Sequence, residues 1–280
     1  MKTTITILCD NSISRSGFIG EHGFSALIER GEEKYLFDTG PGMSLPLNLK
    51  ALQKDLNGLK MVFLSHGHYD HTGGLKWVIE QTGKIEVVAH PAVFVRHLRF
   101  DPQKPLDPPR SIGCPFKQEA LEHMGATFTF LDHTEEARPG LWFLSGIDRD
   151  PEKLPEDTRL VLQQGDGLAP DPLIDDASLL LETGTSPVLL LGCAHTGILN
   201  ILDHVQNTMH ITKLRAVLGG THLMFYGPEV LEQAIKRFED FALDLIAVSH
   251  CTGMSATIRL ANHFGDRFQL ASAGTAFDFC

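Results

Sequence analysis

Ser65-His66-Gly67-His68-Tyr69-Asp70-His71-Thr72-Gly73-Gly74 is the stretch on which the reading of this chain turns. Lys60-Met61-Val62-Phe63-Leu64, just before it, reads as a buried strand, and Leu75-Lys76-Trp77-Val78-Ile79, just after it, as the start of a helix. The cluster therefore falls in a loop at the C-terminal end of a strand, where α/β sheets place their chemistry. His66 and His68 are two apart, so an extended backbone aims both the same way. Asp70 and His71 follow in a turn and can face a second metal. Gly67 lets the backbone pass close to a neighbour, and Gly73-Gly74 allow tight packing at the helix start. Three imidazoles and a carboxylate gathered behind an apolar strand have no good packing rationale. As a ligand set they suit zinc first, with iron or manganese as alternatives.

Outward from this loop, composition sets the limits. Of 280 residues 42% are hydrophobic, enough for a sizeable core. The 35 acidic side chains outnumber the 24 basic ones, a net charge of −11. That argues against a nucleic-acid partner, since phosphate backbones need a basic face. A small anionic substrate held by metals and one or two arginines stays compatible. The five cysteines, Cys9, Cys114, Cys193, Cys251 and Cys280, are odd in number and form no Cys-x-x-Cys. They fit reduced thiols. The N-terminal apolar run from Ile5 ends at Asp10, too short for a signal peptide. No stretch approaches the ~20 apolar residues of a membrane span. The expectation is a cytoplasmic protein with no membrane partner.

Read in order, Thr4–Leu8 is a first strand closed by Asp10-Asn11. Glu21–Glu29 is a loop running into a second strand, and Tyr35–Phe37 a third, ending in Asp38-Thr39-Gly40-Pro41-Gly42. Leu47–Leu56 reads as a helix, and Ile85–Ala89 as a strand ending at a structural His90. Such alternation means an α/β fold. From about 100 to 118 the prolines at 102, 105, 108, 109 and 115 exclude a helix or central strand. This segment reads as an irregular insertion in a single domain spanning 1–280, either a lid or a passive surface loop. Strands resume at Thr127–Leu131 and Leu141–Ser145, and a second proline-containing loop runs to about Pro172. Arg149 within it reads as a surface arginine, with anion binding as the alternative.

Asp175–Gly184 followed by Val188–Leu191 repeats the rhythm of residues 23–37, which suggests two similar halves. The second half also repeats the device of a histidine after a buried strand. Val188–Leu191 leads into Gly192-Cys193-Ala194-His195, Ala216–Leu218 into Gly219-Gly220-Thr221-His222, and Leu245–Val248 into Ser249-His250-Cys251. Three recurrences put these histidines on one rim with the first cluster. Cys193 and Cys251 read as small buried packing residues rather than thiolate ligands.

The His-x-His-x-Asp-His cluster resembles the signature of the metallo-β-lactamase fold superfamily. Asp38, the 66–71 cluster, His195 and His250 match that superfamily's motifs in order and type. The resemblance implies an αββα sandwich, two mixed sheets flanked by helices, over nearly the whole chain. It implies that His66, His68 and His195 hold one divalent metal and that Asp70, His71 and His250 hold another. It makes Asp38 a support of the histidine loop through hydrogen bonds. Flavodiiron relatives carry a glutamate where this chain has His68, and a flavodoxin domain; with neither here, redox chemistry ranks low. Glu21-His22-Gly23-x-Ser25, Gly-Cys-Ala-His-Thr-Gly, Gly-Gly-Thr-His-Leu and Ser-His-Cys-Thr-Gly narrow the resemblance. They are similar to the 7,8-dihydropterin-6-methyl-4-(β-D-ribofuranosyl)-aminobenzene-5′-phosphate synthase family.

One departure stands out. The superfamily's fourth motif supplies an aspartate that bridges the metals, yet Asp203, Asp240 and Asp244 all lie away from strand ends. His222 occupies the corresponding place. The reading makes it a substrate-binding or acid–base group, with Asp70 orienting the nucleophile and His22 either a proton donor or a turn histidine. The expected function is a metal-dependent hydrolase using a metal-bound hydroxide on a small phosphate- or ester-bearing anion. A pterin-ribofuranosyl transferase and a non-catalytic ligand-binding protein are the competing readings.

Overall fold

A computed structural model describes residues 2–104 and 106–280, so Pro105 of the proline-rich stretch lies outside the described residues. Alternation within each strand organises the layers. In Leu59–Phe63, Met61 and Phe63 face one way and Val62 the other; in Val188–Leu191, Val188 and Leu190 oppose Leu189 and Leu191. Both faces are buried, which is why these strands read as continuous apolar runs. The inner faces of two seven-stranded sheets share one core, containing Ile5, Phe37, Phe63, Phe143, Leu190 and Leu218. The outer face of the first sheet packs on helices Ser44–Ala51, Leu75–Thr82 and Gln118–Met124. That of the second packs on Ile198–Asn207, Pro228–Asp240 and Met254–Phe264. The fold is the αββα sandwich.

The first sheet runs, in spatial order, Ala276–Phe279, Thr3–Cys9, Ser25–Arg30, Glu33–Phe37, Leu59–Phe63, Ile85–Ala89, Ala126–Phe130. The second runs Phe268–Leu270, Leu245–Ser249, Ala216–Gly220, Val188–Leu191, Ser178–Leu181, Leu141–Leu144, Glu135–Arg138. Each contains an antiparallel hairpin, 25–37 or 178–191, followed outward by three parallel strands. The parallel strands all end on one rim, and the histidine loops leave from there.

Three segments differ from expectation. The helix expected at Leu47–Leu56 occupies Ser44–Ala51. The Glu21 carboxylate accepts the Ser44 N–H at 2.7 Å and starts it early. Pro46 is tolerated because first-turn N–H groups have no intrahelical partner, and Gln53, at φ 54°, ends the segment. The loop expected up to about Pro172 contains a hairpin, Leu160–Gln164 with Gly167–Pro170, turning at Gly165 with φ 56°. Leu160-Val161-Leu162 before Gly165-Asp166-Gly167 was a readable hairpin signal. Within the proline-rich stretch, Arg110–Ser111 pairs with Leu98–Arg99 and extends this hairpin to four strands. Arg149 is a strut: its guanidinium donates to the carbonyls of Pro172 and Leu173 and to Thr196 Oγ1. Among the described residues no helix is long and apolar enough to cross a membrane.

The two halves approach closely at Gly192 and Ser65. A Cβ on Gly192 would stand 2.2 Å from Ser65 Oγ and 2.4 Å from Ser65 Cβ. Gly192→Ala is therefore expected to lower stability by about 1–3 kcal/mol, read as an earlier denaturant midpoint with the slope unchanged.

Candidate metal centre

The Asp38 carboxylate, buried at the end of strand Glu33–Phe37, organises the histidine loop. Oδ1 accepts the Ser65 N–H at 2.7 Å, and Oδ2 accepts Ser65 Oγ–H and His71 Nδ1–H, both at 2.6 Å. With its proton committed to Asp38, Ser65 Oγ accepts from His66 Nδ1 at 2.9 Å. One carboxylate thus assigns the tautomer of two histidines, leaving Nε2 of His66 and of His71 as acceptors, with His68 Nδ1 3.0 Å from the former. Gly67 lets the loop close: a Cβ there would lie 2.1 Å from the Val93 carbonyl oxygen. His68 leaves the extended backbone, and Asp70 and His71 fall in the short helix Tyr69–Thr72.

The second half brings its histidines to the same place. The ligand atoms of His66, His68 and His195 lie within 4.8 Å of one another. Asp70 Oδ2 is 3.9 Å from His71 Nε2 and 3.4 Å from His250 Nε2, and those two nitrogens are 3.3 Å apart. His222 lies against His195, ring centroids 4.2 Å apart, and also lines the pocket. His22 sits more exposed, 3.4 Å from Asp70 Oδ2. Asp203, Asp240 and Asp244 are far from this group, in ion pairs with Lys153 and Arg237, with Arg237, and with Arg215. Asp38, Ala194, His222 and His250 all take φ between 49° and 59°. These are four of the eight non-glycine residues with left-handed backbone among the described residues, so the rim carries a share of the backbone strain.

Two supports escaped the sequence reading. Asn11 Oδ1 accepts the Gly23 N–H at 3.2 Å and His250 Nδ1–H at 2.9 Å, so His250 turns a bare Nε2 towards the cluster. Asp10 Oδ1 accepts the His250 backbone N–H at 2.7 Å. The signal was the Asp10-Asn11 pair, which also reads as an ordinary strand end. Behind His68, the buried His97 lies between Asp171 Oδ2 at 2.6 Å and Asp175 Oδ2 at 3.3 Å, and Asp175 accepts the Gly67 N–H. No local motif marked these residues, which meet only through the fold.

The electrostatics suit a cation. Burial, reinforced by neighbouring imidazoles, pushes His66 and His195 well below the ordinary histidine range and His68 down to about 4. These rings are neutral, as metal ligands must be. Neither ring nitrogen of His195 or His222, nor Nε2 of His68, has a hydrogen-bond partner although buried. Buried polar atoms without partners are rare and call for one. His71 Nε2 has the Cys193 sulfur at 3.3 Å and faces His250 Nε2 at the same distance, and two such nitrogens facing each other call for a proton or a metal between them. Burial opposes charge on His250, but Asp70 beside it prevails and raises its pKa to about 9. The donor set therefore fits divalent metal ions in two groups, His66/His68/His195 and Asp70/His71/His250.

A family model described as the Metallo-beta-lactamase superfamily matches residues 19–250. The 7,8-dihydropterin-6-methyl-4-(beta-D-ribofuranosyl)-aminobenzene-5'-phosphate synthase of Methanocaldococcus jannaschii is 28% identical over 98% of this chain and 95% of its own length. Uncharacterized protein MJ0448 of the same organism is 31% identical over 92% of this chain and 93% of its own. The crystal structure of Tm1679, described as a metal-dependent hydrolase of the beta-lactamase superfamily, superposes with a TM-score of 0.81 at 26% identity, covering 98% of both chains.

Metal entering beside His250 must displace its proton, so affinity should rise by at least about tenfold per pH unit below about pH 9. Competition with a chromogenic chelator across that range reads this directly; a flat profile would contradict it. By the same assay, Asn11→Ala is expected to weaken binding by about 10–100-fold with secondary structure retained.

Proposed function

This chain belongs to the metallo-β-lactamase superfamily, and we propose that it is a metal-dependent hydrolase acting on a small phosphate-bearing substrate. The observation that carries this reading is a pocket of about 770 Å³ with the histidine cluster at its floor and arginines in its wall. The volume suits a small molecule rather than a polymer. Arg99 and Arg110 face each other in register across two short strands, and both line the pocket. Like charges directly opposite are destabilising, and neither has an ion-pair partner among the described residues. An anionic substrate supplies that partner. Arg159, by contrast, is occupied by Asp157 at 2.7 Å and lies over the Phe225 ring.

In this reading His66, His68 and His195 would hold one divalent ion and Asp70, His71 and His250 a second, with zinc, iron and manganese all compatible. Such ions act as Lewis acids and make water nucleophilic near neutral pH. Asp70 touches His71 and His250 and orients the nucleophile. His222, with both ring nitrogens unpartnered, can pass a proton to or from the reacting oxygen. His22, at the pocket mouth, is a second proton carrier; burial and the neighbouring His250 keep it below the ordinary histidine range.

A second reading, transfer rather than hydrolysis, is favoured by the end-to-end likeness to the dihydropterin synthase. The pocket wall carries the partly exposed Tyr69, a surface on which a flat ring can lie.

Metal-stripped and reloaded protein, assayed on phosphodiesters, lactones and thioesters in heavy-oxygen water, separates these readings. Hydrolysis puts solvent oxygen into a product and requires metal, whereas transfer leaves the label in water. Failure of every reloaded form on every ester would sink the hydrolase reading. His222→Ala is expected to keep its metal content and lose turnover by on the order of 100-fold. Loss of metal with turnover would make His222 a ligand instead.

A further inference from the structure

Cys193, two residues before His195, is buried and lines the pocket floor. Its sulfur is 3.3 Å from His71 Nε2. Its Sγ falls within 4.8 Å of the ligand atoms of three groups: with His66 and His71, with His195 and His222, and with His250 and Cys251. The thiol thus stands within reach of both metal groups. Cys251 differs, because its thiol donates to the Cys193 carbonyl at 3.4 Å.

Charge points the same way. In the set formed by His66, His68, Asp70, His71, His195 and His250, only Asp70 is anionic. Two divalent ions would leave three positive charges that the ligands themselves do not balance, with Asp38 behind His71 as a further carboxylate that touches no metal position directly, and unpaired charge at a buried floor is costly. Asp203, Asp240 and Asp244 are engaged elsewhere. A neutral imidazole such as His222 adds no charge and offers a metal one lone pair. A thiolate adds the charge, offers several lone pairs, and is a ligand for zinc and iron.

We propose that Cys193 is a metal ligand, coordinating the centre as a thiolate and supplying the anionic charge that no carboxylate provides from the His222 segment. As the metal enters, the S–H bond breaks, its proton leaves to solvent, and the sulfur electron pair forms the metal–sulfur bond. The competing role is a thiol that only donates its proton to His71 Nε2. The inference rests on the reading that the cluster binds divalent metal, and the test separates the two.

Cobalt(II) is titrated into metal-free, full-length protein under reducing conditions and followed by absorption. Wild type is expected to develop visible ligand-field bands together with a near-ultraviolet sulfur-to-cobalt charge-transfer band. Cys193→Ser should keep the former and lose the latter, and Cys251→Ser should keep both. Should Cys193→Ser not fold, persistence of the band in a variant with Cys9, Cys114, Cys251 and Cys280 all changed to serine still assigns it to Cys193. Visible bands without the near-ultraviolet band in wild type, or survival of that band in Cys193→Ser, would overturn the proposal while leaving the metal centre intact. Absence of any cobalt spectrum in wild type would remove the metal reading and this inference with it.

Discussion

The Asp38 carboxylate is the interaction on which the rest of the site depends. It accepts three hydrogen bonds, from the Ser65 backbone, the Ser65 hydroxyl and His71, and is fully buried. Through them it fixes the loop, sets two imidazole tautomers and leaves one Nε2 acceptor for each of the two metal groups. The cost of burying a carboxylate is offset by those donors. The pattern recurs across the site: Asn11 sets the tautomer of His250, and Asp175 holds the Gly67 backbone. A polar layer of Asp38, Asn11 and Asp175 under the histidines converts a flexible rim into a preorganised one.

Much of the fold was legible because the strands are simple. Alternating or continuous apolar runs at Thr3–Cys9, Leu59–Phe63, Ile85–Ala89 and Val188–Leu191 fall within a residue or two of their sequence reading. What failed was local chemistry. Helix Ser44–Ala51 begins where Glu21, distant in sequence, caps it, and an apolar pattern does not see such a partner. The Leu160–Pro170 hairpin was hidden by prolines around it although Gly165-Asp166-Gly167 announced the turn. Arg149 read as a surface arginine and is instead a half-buried strut, which its own segment could not show because its main acceptors are backbone carbonyls of a distant loop.

For the site, residue type and position after a strand carried most of the signal. His66, His68, Asp70, His71, His195, His222 and His250 stand at strand ends, and the sheets bring those ends together. Supporting residues were not legible for a physical reason. Asn11, Asp175, His97 and Asp171 act through contacts across tens to hundreds of residues, and each looks ordinary in its own segment. Cys193 read as a packing residue, and only the fold places its sulfur beside His71.

His71 and His250 are 179 residues apart, one from each half of the molecule. Neither half holds a complete set of ligands, so the metal-binding arrangement comes into being only when the two sheets dock. A metal bound there on the proposed reading belongs to the docked state and adds its binding free energy to docking. Pairings of such long sequence separation form slowly. The ion would then act as a clasp between the two sheets. In a cell short of metal, the first loss would be intact polypeptide, through exposure of undocked sheets to proteases, as much as turnover.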